Sequence, residues 1–357
     1  MRLAKLGVAA GATVFSMSLY AQSTVQIYGI ADAGVEYVNN VRVGTAGSAS
    51  VVRLQSGNES SSRIGFRGRE DLGGGLAAIF TLENGFSIDT GTLGQGGRLF
   101  GRQAYVGLAG GLGEIQLGRQ TTAIYDFGVV FDPLSSVRYG VTSFDLAYAS
   151  RADNAVKYVG SFGGLNVAGQ YSLGYDSLIA NGSEVPGAFK VGKEMGIHTN
   201  YIAGGVQIGV AYDRQNGTSV ATEANKNQRM DFGASVDFTP VKLLAGYQRQ
   251  LVTTGLTTAA NKLYWVALQY ATTTALTLTP AVYVLDPQGS NNKSTMFTVL
   301  GSYALSKRTD LYSQVAFMKN QNAATFGMSS SGANGGTGAV NPGDNQSAMT
   351  VGVRHRF

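Results

Sequence analysis

Alternation of apolar and polar residues with a period of two runs through most of the chain. No other feature narrows the fold as far. In residues 228–238, Met230, Phe232, Ala234, Val236 and Phe238 fall on one face of an extended backbone, and Arg229, Asp231, Gly233, Ser235 and Asp237 on the other. Residues 206–213 set Val206, Ile208, Val210 and Tyr212 against Gln207, Gly209, Ala211 and Asp213. Residues 165–171 set Leu165, Val167 and Tyr171 against Asn166, Ala168 and Gln170. Successive side chains of a strand point to opposite faces, so each run reads as a strand with one apolar and one polar side.

About sixteen such segments are expected, near residues 24–38, 58–69, 75–86, 98–109, 112–119, 153–161, 164–174, 193–203, 205–213, 228–239, 241–250, 262–272, 274–285, 294–305, 309–319 and 347–357. Long polar connectors fall near 39–57, 87–97, 120–152, 175–192, 214–227, 251–261, 286–293 and 320–346. Tight turns lie between them, such as Asp71-Leu72-Gly73-Gly74, Thr239-Pro240 and Ser306-Lys307-Arg308. An even strand count, segments near ten residues and short turns alternating with long loops predict an all-β fold, a closed antiparallel transmembrane β-barrel. A β-sandwich also alternates, but its strands average five or six residues. In lipid every backbone N–H and C=O has to pair within the protein, which a closed sheet achieves. A barrel of ~16 strands encloses a polar, aqueous lumen. Tyr264, Val266, Leu268 and Tyr270 form an outward strip bracketed by aromatics, as at a membrane interface. Trp265 falls on the opposite face, which alternation does not explain.

Arg2 and Lys5 precede an apolar stretch from Leu6 to Tyr20, followed by Ala21. That pattern is a secretory leader, so residues 1–21 are expected to be removed and 22–357 to form one barrel domain. Cysteine is absent, so an exported chain of this length needs another source of stability. The 50 glycines sit among 18 tyrosines and 16 phenylalanines, which a disordered chain would lack. The formal net charge of +5 is too mild for a nucleic-acid partner. Two histidines, His198 and His355, with no cysteine give no metal pair and no recognisable catalytic triad. No catalytic residue, metal or other cofactor is expected. Gly110-Gly111-Leu112-Gly113 lacks the strand–turn–helix context of a nucleotide loop and reads as a β-turn.

Several local motifs, in order, resemble one family. They are Val25-Gln26-Ile27-Tyr28-Gly29-Ile30-Ala31-Asp32, Ser62-Arg63-Ile64-Gly65-Phe66-Arg67-Gly68 and Glu70-Asp71-Leu72-Gly73-Gly74-Gly75-Leu76. Ala104-Tyr105-Val106-Gly107-Leu108, Leu117-Gly118-Arg119-Gln120, Tyr303-Ala304-Leu305-Ser306-Lys307-Arg308-Thr309 and the ending Val353-Arg354-His355-Arg356-Phe357 follow. The chain resembles the general trimeric porins of Gram-negative bacteria, most closely those of β-proteobacteria. The resemblance implies a homotrimer of 16-stranded barrels in the outer membrane, each with a third extracellular loop, within 120–152, folded inward. It implies passive diffusion of small hydrophilic solutes and ions. It also implies that Phe357 marks the chain for the outer-membrane assembly machinery.

By the same resemblance, a basic wall at the constriction falls on Arg63, Arg67, Arg102 and Arg151. The facing acids are expected from the loop, at Asp126, Asp132 and Asp145, with Asp32 on the first strand. Alternation independently turns Arg63, Arg67 and Arg151 inward. For Arg102 the two disagree, because turning Ala104, Val106 and Leu108 outward would carry Arg102 with them. Three unit charges ~6 Å from an anion contribute about 2 kcal/mol in unscreened water, an upper limit of roughly thirty-fold enrichment. A modest anion preference is expected, with a substrate-specific channel as the alternative.

Overall fold

The computed structural model describes residues 24–45, 47–135, 138–176, 184–328 and 340–357. The expected leader, 1–21, lies outside the described residues. Strands β1 (Thr24–Val43), β2 (Gly47–Ser56), β3 (Arg63–Gly73), β4 (Leu76–Gly85), β5 (Gln103–Gly110) and β6 (Gly113–Thr121) open the chain. A helix, α1 (Ala123–Phe131), precedes β7 (Arg151–Phe162), β8 (Leu165–Ser172), β9 (Glu194–Ala203), β10 (Val206–Asn216) and β11 (Lys226–Phe238). Then come β12 (Val241–Thr254), β13 (Thr257–Ala271), β14 (Leu276–Pro287), β15 (Ser294–Ala304), β16 (Thr309–Asn320) and β17 (Gln346–Arg356).

The seventeen strands make sixteen staves. One half of β1 pairs with β2, from Ala33↔Ser56 to Val43↔Gly47, and the other with β3, from Thr24↔Arg69 to Ile30↔Arg63. Thus β2 and β3 share one position in the wall. From β3 onward each strand pairs antiparallel with the next, and β1 closes on β17 from Ile30↔Arg356 to Val38↔Ala348. The break between β2 and β3 has a local cause. Residues 57–62 leave the ladder so that the N–H groups of Asn58, Glu59 and Ser60 donate to the Asp32 carboxylate at 3.1, 2.9 and 2.7 Å.

Two expected loops are strand instead. Residues 39–43 extend β1 and residues 47–56 supply β2, paired with it as a hairpin, and residues 251–261 extend β12 and β13 to a turn at Gly255-Leu256. Segments such as Thr253-Thr254 and Thr257-Thr258 are polar on both faces, so alternation disappears there. Threonine nevertheless favours extended backbone, and the ladder continues.

The barrel is apolar outside and polar inside. Val106, Ile115, Ile208 and Val351 are more than half exposed. Gln116, Gln248, Thr298, Gln314 and Thr350 are buried on the inner face. A soluble domain would reverse this, since large apolar patches are rarely left bare to water. The apolar exterior fits lipid.

The inner wall is not polar throughout, which corrects the expectation of a uniformly wet lumen. The segment between β6 and β7 folds into the barrel and forms a dry core against the wall. Ile124, Phe127, Phe131, Leu134, Tyr139, Val141 and Tyr148 from this segment pack with Leu263, Trp265, Tyr283, Met296 and Met318 from β13 to β16.

Candidate functional site: an inserted loop facing an arginine cluster

The loop is held by a groove that glycine makes. Gly209, Gly233, Gly246 and Trp265 lie side by side in register across β10, β11, β12 and β13. A Cβ at Gly209 or Gly233 would stand 2.5 or 2.4 Å from the Phe131 ring. One at Gly246 would stand 2.0 Å from the Trp265 ring. Without side chains at these positions, the two aromatic rings lie against bare backbone. Trp265 Nε1 donates to the Phe131 carbonyl at 2.9 Å, and its ring meets Phe127 and Tyr148 edge-on. The inward tryptophan that alternation left unexplained is therefore the anchor of the loop.

Polar contacts fix the rest of the loop. Thr122 caps α1, its Oγ1 accepting from Tyr125 N at 3.3 Å. Tyr139 Oη donates to Glu36 at 2.6 Å, and Ser143 Oγ to the Met328 carbonyl at 2.7 Å, which ties this loop to the last long one. Asp145 is paired with Arg229 at 2.6 Å, and Tyr148 Oη donates to Asp231 at 2.8 Å.

Across the lumen, β3 to β7 carry the cations. Arg102 donates from Nε to Glu83 at 2.6 Å, and Tyr28 Oη donates to the same carboxylate at 3.0 Å. The Arg151 guanidinium stacks over the Tyr125 ring, 4.9 Å from its centroid. Arg63, Arg102 and Arg151 lie within electrostatic range of one another and of the Tyr125 phenol at the start of the helix. Arg119 and Arg98 share Asp153 at 2.5 and 2.9 Å, and Arg98 reaches Asp176 at 3.0 Å. The Arg151 Nε is buried without a hydrogen-bond partner among the described residues. On the short-turn side of α1 a cavity of about 730 Å³ opens, lined by Arg69, Tyr105, Tyr125, Lys157, His198 and Asn200 among others.

Arg63, Arg102 and Arg151 are thus brought together. Arg67 lies four residues along β3 from Arg63, bonded to Gln26 at 2.7 Å and stacked on Tyr28 at 5.2 Å. The conflict over Arg102 is resolved by where its strand starts. β5 begins at Gln103, so the outward parity of Val106 and Leu108 does not reach back to residue 102. Arg151 follows a different route from the alternation reading. β7 carries an irregularity where its register with β6 shifts, next to Asn154 at φ 50°, so parity does not carry across it.

The expected acids do not form a ladder facing these arginines. Asp126 is tied to Lys157 at 2.6 Å and to Thr121 at 2.8 Å. Asp145 is tied to Arg229. Asp132 is buried at the C-cap of α1, accepting from Tyr283 Oη at 2.6 Å and from the N–H groups of Leu134 and Val141. Burial pushes its carboxyl up to about 6 despite these hydrogen bonds. Asp32 is sealed under the 57–62 turn with Tyr312 Oη donating at 2.6 Å. The acid beside the arginines is Glu83, which the sequence reading missed. Its parity with Ala77, Ile79 and Thr81, all buried on β4, was the available signal.

A family model described as Gram-negative porin matches residues 7–323. The chain is a Gram-negative porin. Outer membrane porin protein 32 of Delftia acidovorans is 30% identical, over 94% of this chain and 95% of that one. An outer membrane porin protein of Bordetella pertussis is 28% identical, over 96% of this chain and 97% of its own. Among solved structures, an anion-selective porin from Comamonas acidovorans superposes with a TM-score of 0.82 at 28% identity, covering 94% of this porin and all of its own chain. The porin described here is accordingly a channel protein of the outer membrane, and its sixteen staves are the family's barrel.

Proposed function

We propose that this porin passes small hydrophilic solutes and ions by diffusion, with a modest preference for anions set by Arg63, Arg102 and Arg151. The observation that carries this reading is Arg151 stacked on Tyr125 of the inserted helix, with Arg63 and Arg102 in electrostatic range and Glu83 as the carboxylate held by Arg102. The net charge of these four groups is +2, fewer than the three free charges expected from sequence. Two unit charges at ~6 Å contribute about 1.4 kcal/mol, roughly ten-fold enrichment before screening.

We further propose that Arg67 and Arg69 extend this field toward the short-turn end, that the assembly is a homotrimer, and that residues 1–21 are a leader removed on export. Phe357 is proposed as the mark read by the assembly machinery, and the lumen as non-catalytic. Of the two histidines, His198 packs edge-on against Phe127, and His355 bonds the Thr309 hydroxyl on the lipid-facing side of the wall, away from the lumen.

The test is the zero-current potential of single channels in a planar bilayer under a salt gradient. Wild-type protein is expected to show the sign of anion selectivity. Replacing Arg63, Arg102 and Arg151 together by glutamine is expected to abolish it. A preference that survives the triple replacement would place the selecting field elsewhere. Saturation of current by one solute alone would favour a substrate-specific channel.

A further inference from the structure

The inserted loop places three tyrosines at polar contacts, and they face opposite kinds of charge. Tyr139 donates to Glu36, and Tyr148 to Asp231. Tyr125 faces guanidiniums. Its ring lies under Arg151, and Arg102 and Arg63 are near enough to act on its phenol. The Glu83 carboxylate that also acts on it is already held by Arg102 and Tyr28. On its own helix, the adjacent Asp126 is committed to Lys157 and Thr121.

We infer that the Tyr125 hydroxyl sets the strength of the channel's anion preference: neutral, it leaves the net charge of the arginine cluster intact, and ionised, it cancels one guanidinium. This rests on the anion reading proposed above. The three tyrosines make the physical contrast. Burial pushes the phenols of Tyr139 and Tyr148 up, and the neighbouring carboxylates push in the same direction. Burial also works to raise Tyr125, but Arg102, Arg151 and Arg63 together outweigh it and hold this phenol below the usual tyrosine range. The phenolate is the form these arginines favour. Ionisation takes the cluster from +2 to +1 at the point where the helix meets the basic wall. One unit charge at ~6 Å changes anion occupancy about threefold and cation occupancy about threefold the other way, so the ratio of anion to cation permeability changes by about tenfold before screening.

The experiment measures that ratio for the full-length porin in planar bilayers at about pH 7 and about pH 9.5, below the range where lysines titrate. Wild type is expected to lose up to about tenfold, the unscreened limit for one unit charge. Tyr125→Phe keeps the ring under Arg151 and removes the ionisable group, so its ratio is expected to stay flat. Heat-modifiable migration on a gel confirms that the variant is folded. An equal fall in Tyr125→Phe, or a flat ratio in a wild type that is anion-selective at about pH 7, would overturn the assignment. A wild type without anion preference at about pH 7 would overturn the anion reading itself and this inference with it. If the variant does not fold, wild type still decides. The fall in the ratio has to share its midpoint with the first tyrosine to ionise, read by tyrosinate absorbance, and the absence of such a tyrosine below about pH 10 overturns the inference.

Discussion

The wall from β9 to β16 and the wall from β3 to β7 obey the same alternation, yet they do opposite things with their inward positions. On the first, inward glycines and aromatics receive the loop, and buried carboxylates are matched to Arg229. On the second, inward arginines meet the loop at Tyr125 and are shared among a few acids. Strand pattern decides which positions face inward, but residue size decides whether a wall is covered or left to the lumen. The Gly209–Gly233–Gly246 row is a seat because it is empty of side chains. Arg63, Arg102 and Arg151 make the opposite wall a charged one.

The contrast can be broken most strongly at Arg229, which holds Asp145 at 2.6 Å and Asp213 at 3.5 Å and lies beside Asp231. Arg229→Met leaves those carboxylates buried without their cation, a loss on the order of 3–5 kcal/mol. Single-channel conductance should rise as the loop leaves its wall, and the emission of Trp265, the single tryptophan, should move to the red. Unchanged conductance and emission would mean that the ion pair does not hold the loop.

Asp132 supplies the next largest effect, through pH. Its carboxyl is raised to about 6 by burial, above the ordinary aspartate value of about 3.9. The associated stability is present below about pH 4 and is lost as pH rises through about 6, on the order of 3 kcal/mol in all. Loop docking, followed by Trp265 emission against denaturant, should therefore weaken from about pH 4 to about pH 7. Asp132→Asn should flatten that dependence. An equally steep profile in the variant would assign the titration to another group.

Filling the seat comes third. Gly233→Val places a side chain where the Phe131 ring lies, and overpacking of this kind costs about 1–3 kcal/mol. It also displaces α1 toward the arginines, so conductance should fall while the sign of selectivity is kept. The smallest effect is expected from Trp265→Phe, which keeps a ring in the groove and removes one hydrogen bond to the Phe131 carbonyl. About 1 kcal/mol of docking stability is expected to go, with near-normal conductance. A conductance as altered as that of Gly233→Val would show that the hydrogen bond, not the groove, positions the helix.

The barrel was legible because lipid outside and water inside impose period two, and that signal needs no tertiary knowledge. It faded where both faces are wet, which is why the hairpin of β1 and β2 and the extended ends of β12 and β13 read as loops. The arginines could be placed by parity and resemblance. The acids could not, because a loop has no parity. Whether Asp126 meets the lumen or Lys157 depends on how α1 is seated, and that depends on glycines three strands away. Trp265 carried the missing information, since an inward tryptophan in a polar lumen requires something to pack on it.

The junction of β1 with β17 sets an order of events. From β3 onward each ladder joins strands adjacent in the chain, and β1 likewise pairs with the β2 and β3 that follow it. β1–β17 alone joins the first strand to the last, from Ile30↔Arg356 to Val38↔Ala348. Closing a loop of roughly 300 residues rather than roughly ten raises the entropic cost by about 3 kcal/mol. That cost falls on a single step, so hairpins can accrete along the chain before the seam is made. Phe357 completes that seam: its backbone exchanges two hydrogen bonds with Gly29, at 3.0 and 3.1 Å, and its ring lies where a Cβ on Gly29 would be. The final residue of the chain is therefore positioned by the first strand, and a finished cylinder differs from an open sheet in where that one ring rests.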